Sequence, residues 1–462
     1  MAQSGRRLTV RPVESEHLKR KSILSKATLF SNAVLLKKER KENMNILQDL
    51  EFRGLLNQIT DQEGLQKELE NGIVKLYCGF DPTADSLHIG NLLPILTLRR
   101  FQEAGHQPFA LVGGGTGLIG DPSGRQTERT LNEAEIVVQW TEKIKNQLSR
   151  LLDFERETNP AKTVNNYEWL SQLTMIEFLR DVGKNFSINY MLAKDSVDSR
   201  LEAGISFTEF SYMILQSYDF LNLFQKENVK LQIGGSDQWG NITAGMELIR
   251  RSGEEEKAFG LTIPLITKAD GTKFGKTASG TIWLDAEKTT PYEFYQFWVN
   301  AADADVINWL KYFTFLSKEE IEVLEKSLAE APEKREAQKA LGKEVTTLVH
   351  GEEAYKQAVK ITDALFSGNL SELTAAEIEQ GFKDVPSFTV ENNEELNIVD
   401  LLVEAKISPS KRQAREDVTN GAVSINGEKV QETAYMIGEK DRIENKFVIV
   451  RRGKKKYTLI RY

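Results

Sequence analysis

From Met44 to about Leu265 the chain alternates between short apolar runs and longer stretches whose apolar residues recur at helical spacing. That alternation constrains the fold more than any other feature. It predicts strands at 73–80, 108–112 and 230–233, and helices at 89–104, 131–152, 207–224 and 241–250. Strands separated by helices imply a parallel sheet whose ligands sit beyond the carboxyl ends of the strands, so the expected class is α/β. Residues 291 to about 375 read as helical throughout and 381–395 as an acidic linker. The last 67 residues, 396–462, carry a compact α+β pattern of helix, turn and short strands. A chain of 462 residues exceeds one ordinary domain, and we expect two or three, each with its own core.

Composition narrows the function classes. No run approaches the roughly 18 apolar residues that a membrane span requires. Cys78 is the sole cysteine, which rules out an intrachain disulfide and points to a reducing compartment, the cytoplasm. The four histidines, His17, His88, His106 and His350, include no pair at metal-ligand spacing, so a zinc enzyme is not expected. The net charge of −8 is uneven: residues 1–43 hold 11 Lys/Arg against 4 Asp/Glu, and residues 396–462 hold 14 against 9. An acidic body with a basic C-terminal end suggests that a polyanion is gripped mainly there. Residues 1–43 read as a basic, disordered extension from an upstream start or an artificial addition, because Met44 opens a much better helical pattern. A transit peptide is disfavoured by Glu14, Glu16, Glu39 and Glu42.

Two stretches carry phosphate chemistry. The first strand ends in Tyr77-Cys78-Gly79-Phe80-Asp81-Pro82-Thr83, and His88-Ile89-Gly90-Asn91 opens the next helix. A helix start offers unpaired N–H groups and the positive end of the dipole to an anion. Gly90 allows a base or ribose close to the backbone, and Thr83 and His88 can donate to phosphate oxygens as charge builds there. Pro94 falls early in that helix, where a missing N–H is tolerated. The second stretch, Lys268 to Thr277, places Lys273 and Lys276 three residues apart in a flexible loop with Gly271 and Gly275. Mobile ammonium groups there can close over a triphosphate and act mainly in the transition state. A third stretch, 207–219, sets Tyr212, Gln216 and Asp219 at i, i+4 and i+7, one helical face lined with hydrogen-bonding groups.

In this order, His-Ile-Gly-Asn and Lys-Phe-Gly-Lys-Thr resemble the HIGH and KMSKS signatures of class I aminoacyl-tRNA synthetases. The departures are Asn91 and the centre of the second motif; Asn91 keeps its hydrogen-bonding capacity. Segments 76–91, 111–130, 165–169, 206–220, 231–243 and 261–284 are similar to the tyrosyl-tRNA synthetase family, and with the C-terminal end the resemblance covers 44–462. It implies that Tyr77 and Asp219 hydrogen-bond a phenolic hydroxyl. Asp121, Tyr212 and Gln216 would hold the ammonium group, with Thr116, Asn166 and Gln238 nearby. Cys78, Gly79, Asp81 and Asp237 would meet adenosine or its ribose, and Arg125 and Arg129 the departing pyrophosphate. His88, Gly90, Asn91, Lys273, Lys276 and Thr277 would complete the ATP site.

The implied architecture is a Rossmann-like catalytic domain over 44–290, an α-helical anticodon-side domain over 291–380, a linker at 381–395 and an S4-like RNA-binding domain over 396–462. The implied reaction activates L-tyrosine with ATP, accompanied by Mg2+, and transfers it to the 3′-terminal adenosine of tRNA(Tyr). No side-chain nucleophile is needed; Thr83, His88, Lys273 and Lys276 stabilise charge. Lys411, Arg412 and Arg415, on a short basic helix, would meet RNA phosphates. The resemblance also implies a homodimer. Two rivals are a tryptophanyl enzyme, against which Tyr77 with Asp219 favours a phenol over an indole, and a non-catalytic RNA-binding protein, which would require a damaged nucleotide site.

Overall fold

The computed structural model describes residues 45–462, apart from 125, 126, 128, 129, 203, 273, 278, 279, 384, 392–394, 454 and 455. The expected extension, 1–43, lies outside the described residues. Two units separate by contact, Met1–Phe52 and Arg53–Tyr462. In the first, Ile46–Phe52 forms a short helix. The second holds the sheet, the crevice and the C-terminal elements.

Its centre is a six-stranded sheet of β1 (Gln58–Ile59), β2 (Lys75–Phe80), β3 (Gln107–Val112), β4 (Lys162–Asn165), β5 (Val229–Gly235) and β6 (Phe259–Ile263), in the order β1-β6-β5-β2-β3-β4. All pairings are parallel except the edge pair of β1 with β6. β6 is buried at all five positions and β3 at five of six, the near-continuous apolar run that a strand covered on both faces requires. From β2 the chain moves outward through β3 and β4, then returns to pair β5 against the other side of β2. The order therefore reverses between β2 and β5, and the crevice beyond their carboxyl ends is where a parallel sheet admits a ligand.

Helix α1 (Ile89–Glu103) follows β2, and helices α2 (Phe207–Glu227) and α3 (Trp239–Arg251) flank β5. α2 packs against α3, and its Met213, Phe220, Leu223 and Phe224 share a core with Tyr77, Phe109 and Val229. Asn228 ends α2 in the left-handed conformation, with φ 56°, which asparagine tolerates better than most residues. His106 lies buried between β2 and β3, its Nδ1 accepting from the Val74 N–H at 3.3 Å. Burial lowers its pKa to about 4, so it stays neutral and structural.

Beyond the sheet come the helices Pro291–Val299, Asp303–Phe313, Lys318–Glu330, Glu336–His350 and Glu352–Ser367. Their core is aromatic: Phe294, Trp298, Trp309 and Phe313 are buried. The C-terminal sheet orders Glu428–Val430, Val423–Ile425, Phe447–Arg452, Lys456–Arg461 and Ser387–Thr389, the last pairing parallel. The 381–395 stretch read as a linker thus contains a strand. At Asn426-Gly427 both residues take positive φ, 50° and 96°, the geometry of a two-residue hairpin turn. No helix among the described residues is long and apolar enough to cross a membrane.

Candidate active site

The β2–β5 crevice is built around a buried hydroxyl. Tyr77, in the middle of β2, is 1% exposed and its phenolic oxygen has no hydrogen-bond partner. Its ring packs on Phe220 at 5.3 Å between centroids. Burial first, and then the nearby Asp219 carboxyl, hold its pKa well above the ordinary phenol value. Asp219 is also buried, with Oδ1 accepting from the Trp169 indole N–H at 2.7 Å and Oδ2 from Asn166 Nδ2 at 2.9 Å. Burial raises its pKa to about 8 despite those two donors, so a neutral carboxyl able to donate a proton stands near the unpartnered hydroxyl.

A chain of hydrogen bonds continues to the end of β2. Asn166 Nδ2 donates to Thr116 Oγ1 at 2.8 Å, Thr116 to Asp81 Oδ1 at 2.7 Å, and Tyr212 to Asp81 Oδ2 at 2.7 Å. On the β5 side Gln238 donates to Asp121 Oδ2 at 2.8 Å, and Gln216 Nε2 to Gln238 Oε1 at 3.3 Å. Asn241 Nδ2 ties these together, with Gln216 Oε1 at 3.0 Å and Gln238 Oε1 at 3.2 Å. The Tyr212 pKa is held well above the phenol range by burial first, then by Asp81, Asp121 and Asp219. Asp81 and Asp121 therefore lie close to this phenol, and a cationic ligand group would be favoured beside them. Asp237, whose pKa is raised by burial and then by Asp121, borders the same place.

Gly113 and Gly114, in the loop after β3, leave no room for a side chain. A Cβ on Gly113 would lie 1.9 Å from Asp81 Oδ1, and one on Gly114 would lie 2.4 Å from Asn165 Oδ1. Gly79 is exposed at the end of β2, with only Leu111 near its missing side chain. Cys78 is buried, and burial, reinforced by Asp237, pushes its thiol up to about 12. It is a neutral thiol.

His88 is the N-cap of α1. Its Nδ1 accepts from the Gly90 N–H at 3.0 Å, while its own N–H donates to Asn91 Oδ1 at 3.0 Å, a reciprocal capping box. Because Nδ1 accepts, a neutral imidazole carries its proton on Nε2. Asn91 thus has a structural duty that any acceptor of that length could perform. Pro94 is the sixth residue of α1, beyond the first turn, so the expectation of a tolerated position there is corrected. The helix would have used that N–H, and the Gly90 carbonyl receives none from position 94. Thr83 is exposed, and its N–H donates to the Asp81 carbonyl at 2.9 Å.

The two signature stretches meet. His88 bridges antiparallel to Trp283, the Ile89 N–H donates to the Ile282 carbonyl at 3.1 Å, and the Ile282 N–H donates to the Gly275 carbonyl at 3.2 Å. Gly275 has φ +81°, and a Cβ there would come within 3.1 Å of Ile89. Of the anticipated phosphate-binding residues, Arg125, Arg129 and Lys273 lie outside the described residues, as do the side chains of Lys276 and Thr277.

Lys411, Arg412 and Arg415 are exposed on the helix Lys411–Thr419, capped by Ser410. Lys411 pairs with Asp400 at 2.6 Å. Two crevice residues escaped the sequence reading. Trp169 and Asn241 each complete a buried network, and only the tertiary pairing reveals it.

A parallel sheet reversing between β2 and β5, a His-capped helix at the crevice and a lysine loop paired to that helix define a class I aminoacyl-tRNA synthetase. Residues 68–367 match the family model described as "tRNA synthetases class I (W and Y)", and residues 377–460 match the "Tyrosine--tRNA ligase SYY-like C-terminal domain". The chain belongs to the tyrosine–tRNA ligase family. It is 72% identical over 420 residues to the Tyrosine--tRNA ligase 1 of Bacillus anthracis, covering 91% of this chain and 100% of that one. With the Tyrosine--tRNA ligase 1 of Bacillus subtilis (strain 168) it shares 68% over 419 residues, covering 90% and 99%. A C-terminally truncated mitochondrial tyrosyl-tRNA synthetase of Aspergillus nidulans superposes with a TM-score of 0.64 at 31% identity, covering 71% of this chain and 97% of that one. The tyrosyl-tRNA synthetase of Archaeoglobus fulgidus, at 17% identity and a TM-score of 0.52 over 68% of this chain and 100% of that one, shares the fold.

Proposed function

We propose that this tyrosine–tRNA ligase holds L-tyrosine with its phenol between Tyr77 and Asp219 and its ammonium group among Asp121, Tyr212 and Gln216. One observation carries the reading: the buried, unpartnered Tyr77 hydroxyl beside a carboxyl already fixed by Asn166 and Trp169. Phenylalanine would leave that hydroxyl unpaired, and tyrosine against phenylalanine in this enzyme family is the well-known case of such rejection. Thr116, Asn166 and Gln238 hold the binding carboxylates in place.

ATP lies across the carboxyl end of β2 and the start of α1, with Cys78, Gly79, Asp81 and Asp237 on the adenosine side. His88, Gly90 and Asn91 form the helix start beneath the phosphates. The tyrosine carboxylate attacks the α-phosphorus in line, and pyrophosphate leaves. Thr83, His88, Lys273 and Lys276 stabilise the charge that develops, Thr277 supports the loop, and Arg125 and Arg129 receive the pyrophosphate. Magnesium arrives with the nucleotide, held by phosphate oxygens and water rather than by a cage of protein ligands. A ribose hydroxyl of the terminal adenosine of tRNA(Tyr) then attacks the adenylate carbonyl.

The RNA is gripped by the C-terminal domain through Lys411, Arg412 and Arg415, and the enzyme works in the cytoplasm, where its tRNA resides. It acts as a homodimer. Met175, Ile176, Ile188 and Phe207, 77%, 68%, 61% and 73% exposed, are apolar side chains that a second copy could cover. ATP–pyrophosphate exchange that depends on tyrosine is the direct test of the activation step.

A further inference from the structure

The lysine loop is tied down from outside the crevice. Phe274, which sits in sequence between Lys273 and Lys276, is only 7% exposed. Its ring stacks on Phe313 at 5.3 Å with 12° between planes, and meets Trp309 edge-on at 5.1 Å. Phe297 and Trp298 close the cluster at 5.7 and 6.0 Å. At the other end of the loop, the Ala269 N–H donates to Oδ1 of the buried Asp305 at 2.8 Å. Asp305, Trp309 and Phe313 stand at i, i+4 and i+8 of the helix Asp303–Phe313. They therefore share one face, and that face holds the loop at two points.

The same helix is also held by α1. Arg100, buried near the end of α1, donates through Nη2 to the Thr314 carbonyl at 2.6 Å and to the Tyr312 carbonyl at 3.3 Å. These are carbonyls at the C-terminal end of the helix, where a cation is favoured. One helix of the α-helical part thus contacts both signature elements: the helix that begins at His88, and the loop that bears the lysines.

We infer that the helix Asp303–Phe313 is the positioning platform of the lysine loop, with Asp305 and Phe274 as the residues that set where the loop backbone lies relative to His88. This rests on the proposed role of Lys273 and Lys276 in activation. Asp305 accepts a backbone N–H at one anchor, and Phe274 is a ring seated in an aromatic socket at the other. Displacing either anchor shifts the ammonium groups from the developing phosphate charge, and a displacement of about 1 Å costs on the order of a hundredfold in rate. Tyrosine binding, set by other elements, stays unchanged.

The test is pyrophosphate exchange, normalised to active sites by titration, on Phe274→Leu, Asp305→Ala, Asp305→Asn and Lys276→Ala, and on Phe274→Leu combined with Lys276→Ala. The expected result is a kcat lowered about tenfold or more in Phe274→Leu and Asp305→Ala, with KM for tyrosine unchanged. Asp305→Asn, which keeps an acceptor oxygen, recovers most of the rate. In the Lys276→Ala background the Phe274→Leu loss is clearly smaller, because one of the two groups being positioned is gone. Full kcat in Phe274→Leu and Asp305→Ala, or losses that multiply independently with Lys276→Ala, would overturn the inference while leaving the lysine assignment intact. Full kcat in Lys276→Ala would instead overturn that assignment, and the inference with it.

Discussion

The Trp169 indole N–H donates to Asp219 Oδ1 at 2.7 Å, and this bond fixes the carboxyl that neighbours the unpartnered Tyr77 hydroxyl. Trp169 and Asn166 hold the two carboxyl oxygens, and in the proposed reading Asp219 and Tyr77 meet a ligand hydroxyl. Replacing Tyr77→Phe removes one neutral hydrogen bond, about 0.5–1.5 kcal/mol, and should lower kcat/KM for tyrosine by up to about tenfold without lowering it for phenylalanine. Trp169→Phe leaves a buried carboxyl oxygen without its donor and should cost more, about 1–3 kcal/mol. Exchange kinetics with both amino acids check this, and an unchanged tyrosine-to-phenylalanine ratio in Tyr77→Phe would count against the pocket.

The raised pKa of Asp219 ties stability to pH. Burial moves it from 3.8 to about 8, so between those values the folded state holds a proton that the unfolded chain has lost. The stability linked to this group is complete below about pH 4 and is lost as pH rises to about 8. The slope is at most about 1.4 kcal/mol per pH unit. Asp219→Asn removes the titration, so the wild type should lose stability relative to that variant from pH 5 to 8, as read by chemical denaturation. A difference that does not vary with pH would show that Asp219 titrates normally.

Recognition of RNA should separate from activation. Arg412→Glu and Arg415→Glu alter exposed charges on the C-terminal helix. Each should weaken tRNA binding and flatten its dependence on salt by about one unit of the log–log slope. Pyrophosphate exchange should not change. Filter binding across a salt series checks the first expectation, and equal loss of both activities would contradict it.

The exposed apolar stretch bears on assembly. Ile176→Asp places a charge on a side chain that is 68% exposed, so the folded monomer should tolerate it. If two copies bury this surface, sedimentation will show the variant dissociating at concentrations where the wild type stays dimeric. Identical sedimentation would move the interface elsewhere.

Much of this was legible in the residues, for identifiable reasons. Strands β2, β3 and β5 and their helices follow from apolar periodicity, and the polar face of Tyr212, Gln216 and Asp219 follows from spacing alone. Strand β4 hid because Lys162–Asn165 offers one apolar side chain at a sheet edge. β6 hid because Phe259–Ile263, buried on both faces, shows no alternation and includes a glycine. Trp169 and Asn241 belong to networks assembled from segments far apart in the chain, which local pattern cannot pair. Phe274 is the instructive case. Its neighbours Gly271, Gly275 and the lysines read as a flexible loop, yet its ring is buried among aromatic residues contributed by helices that begin at 291.

In the proposed reading a buried pair, Tyr77 with Asp219, recognises the phenol and so selects tyrosine for activation by ATP. ATP–pyrophosphate exchange with the purified chain, offered tyrosine, tryptophan and phenylalanine in parallel, decides whether it does. Rapid exchange with tyrosine, and none above background with the other two at equal concentration, is the expected result. Exchange driven by tryptophan, or by phenylalanine as readily as by tyrosine, would contradict it.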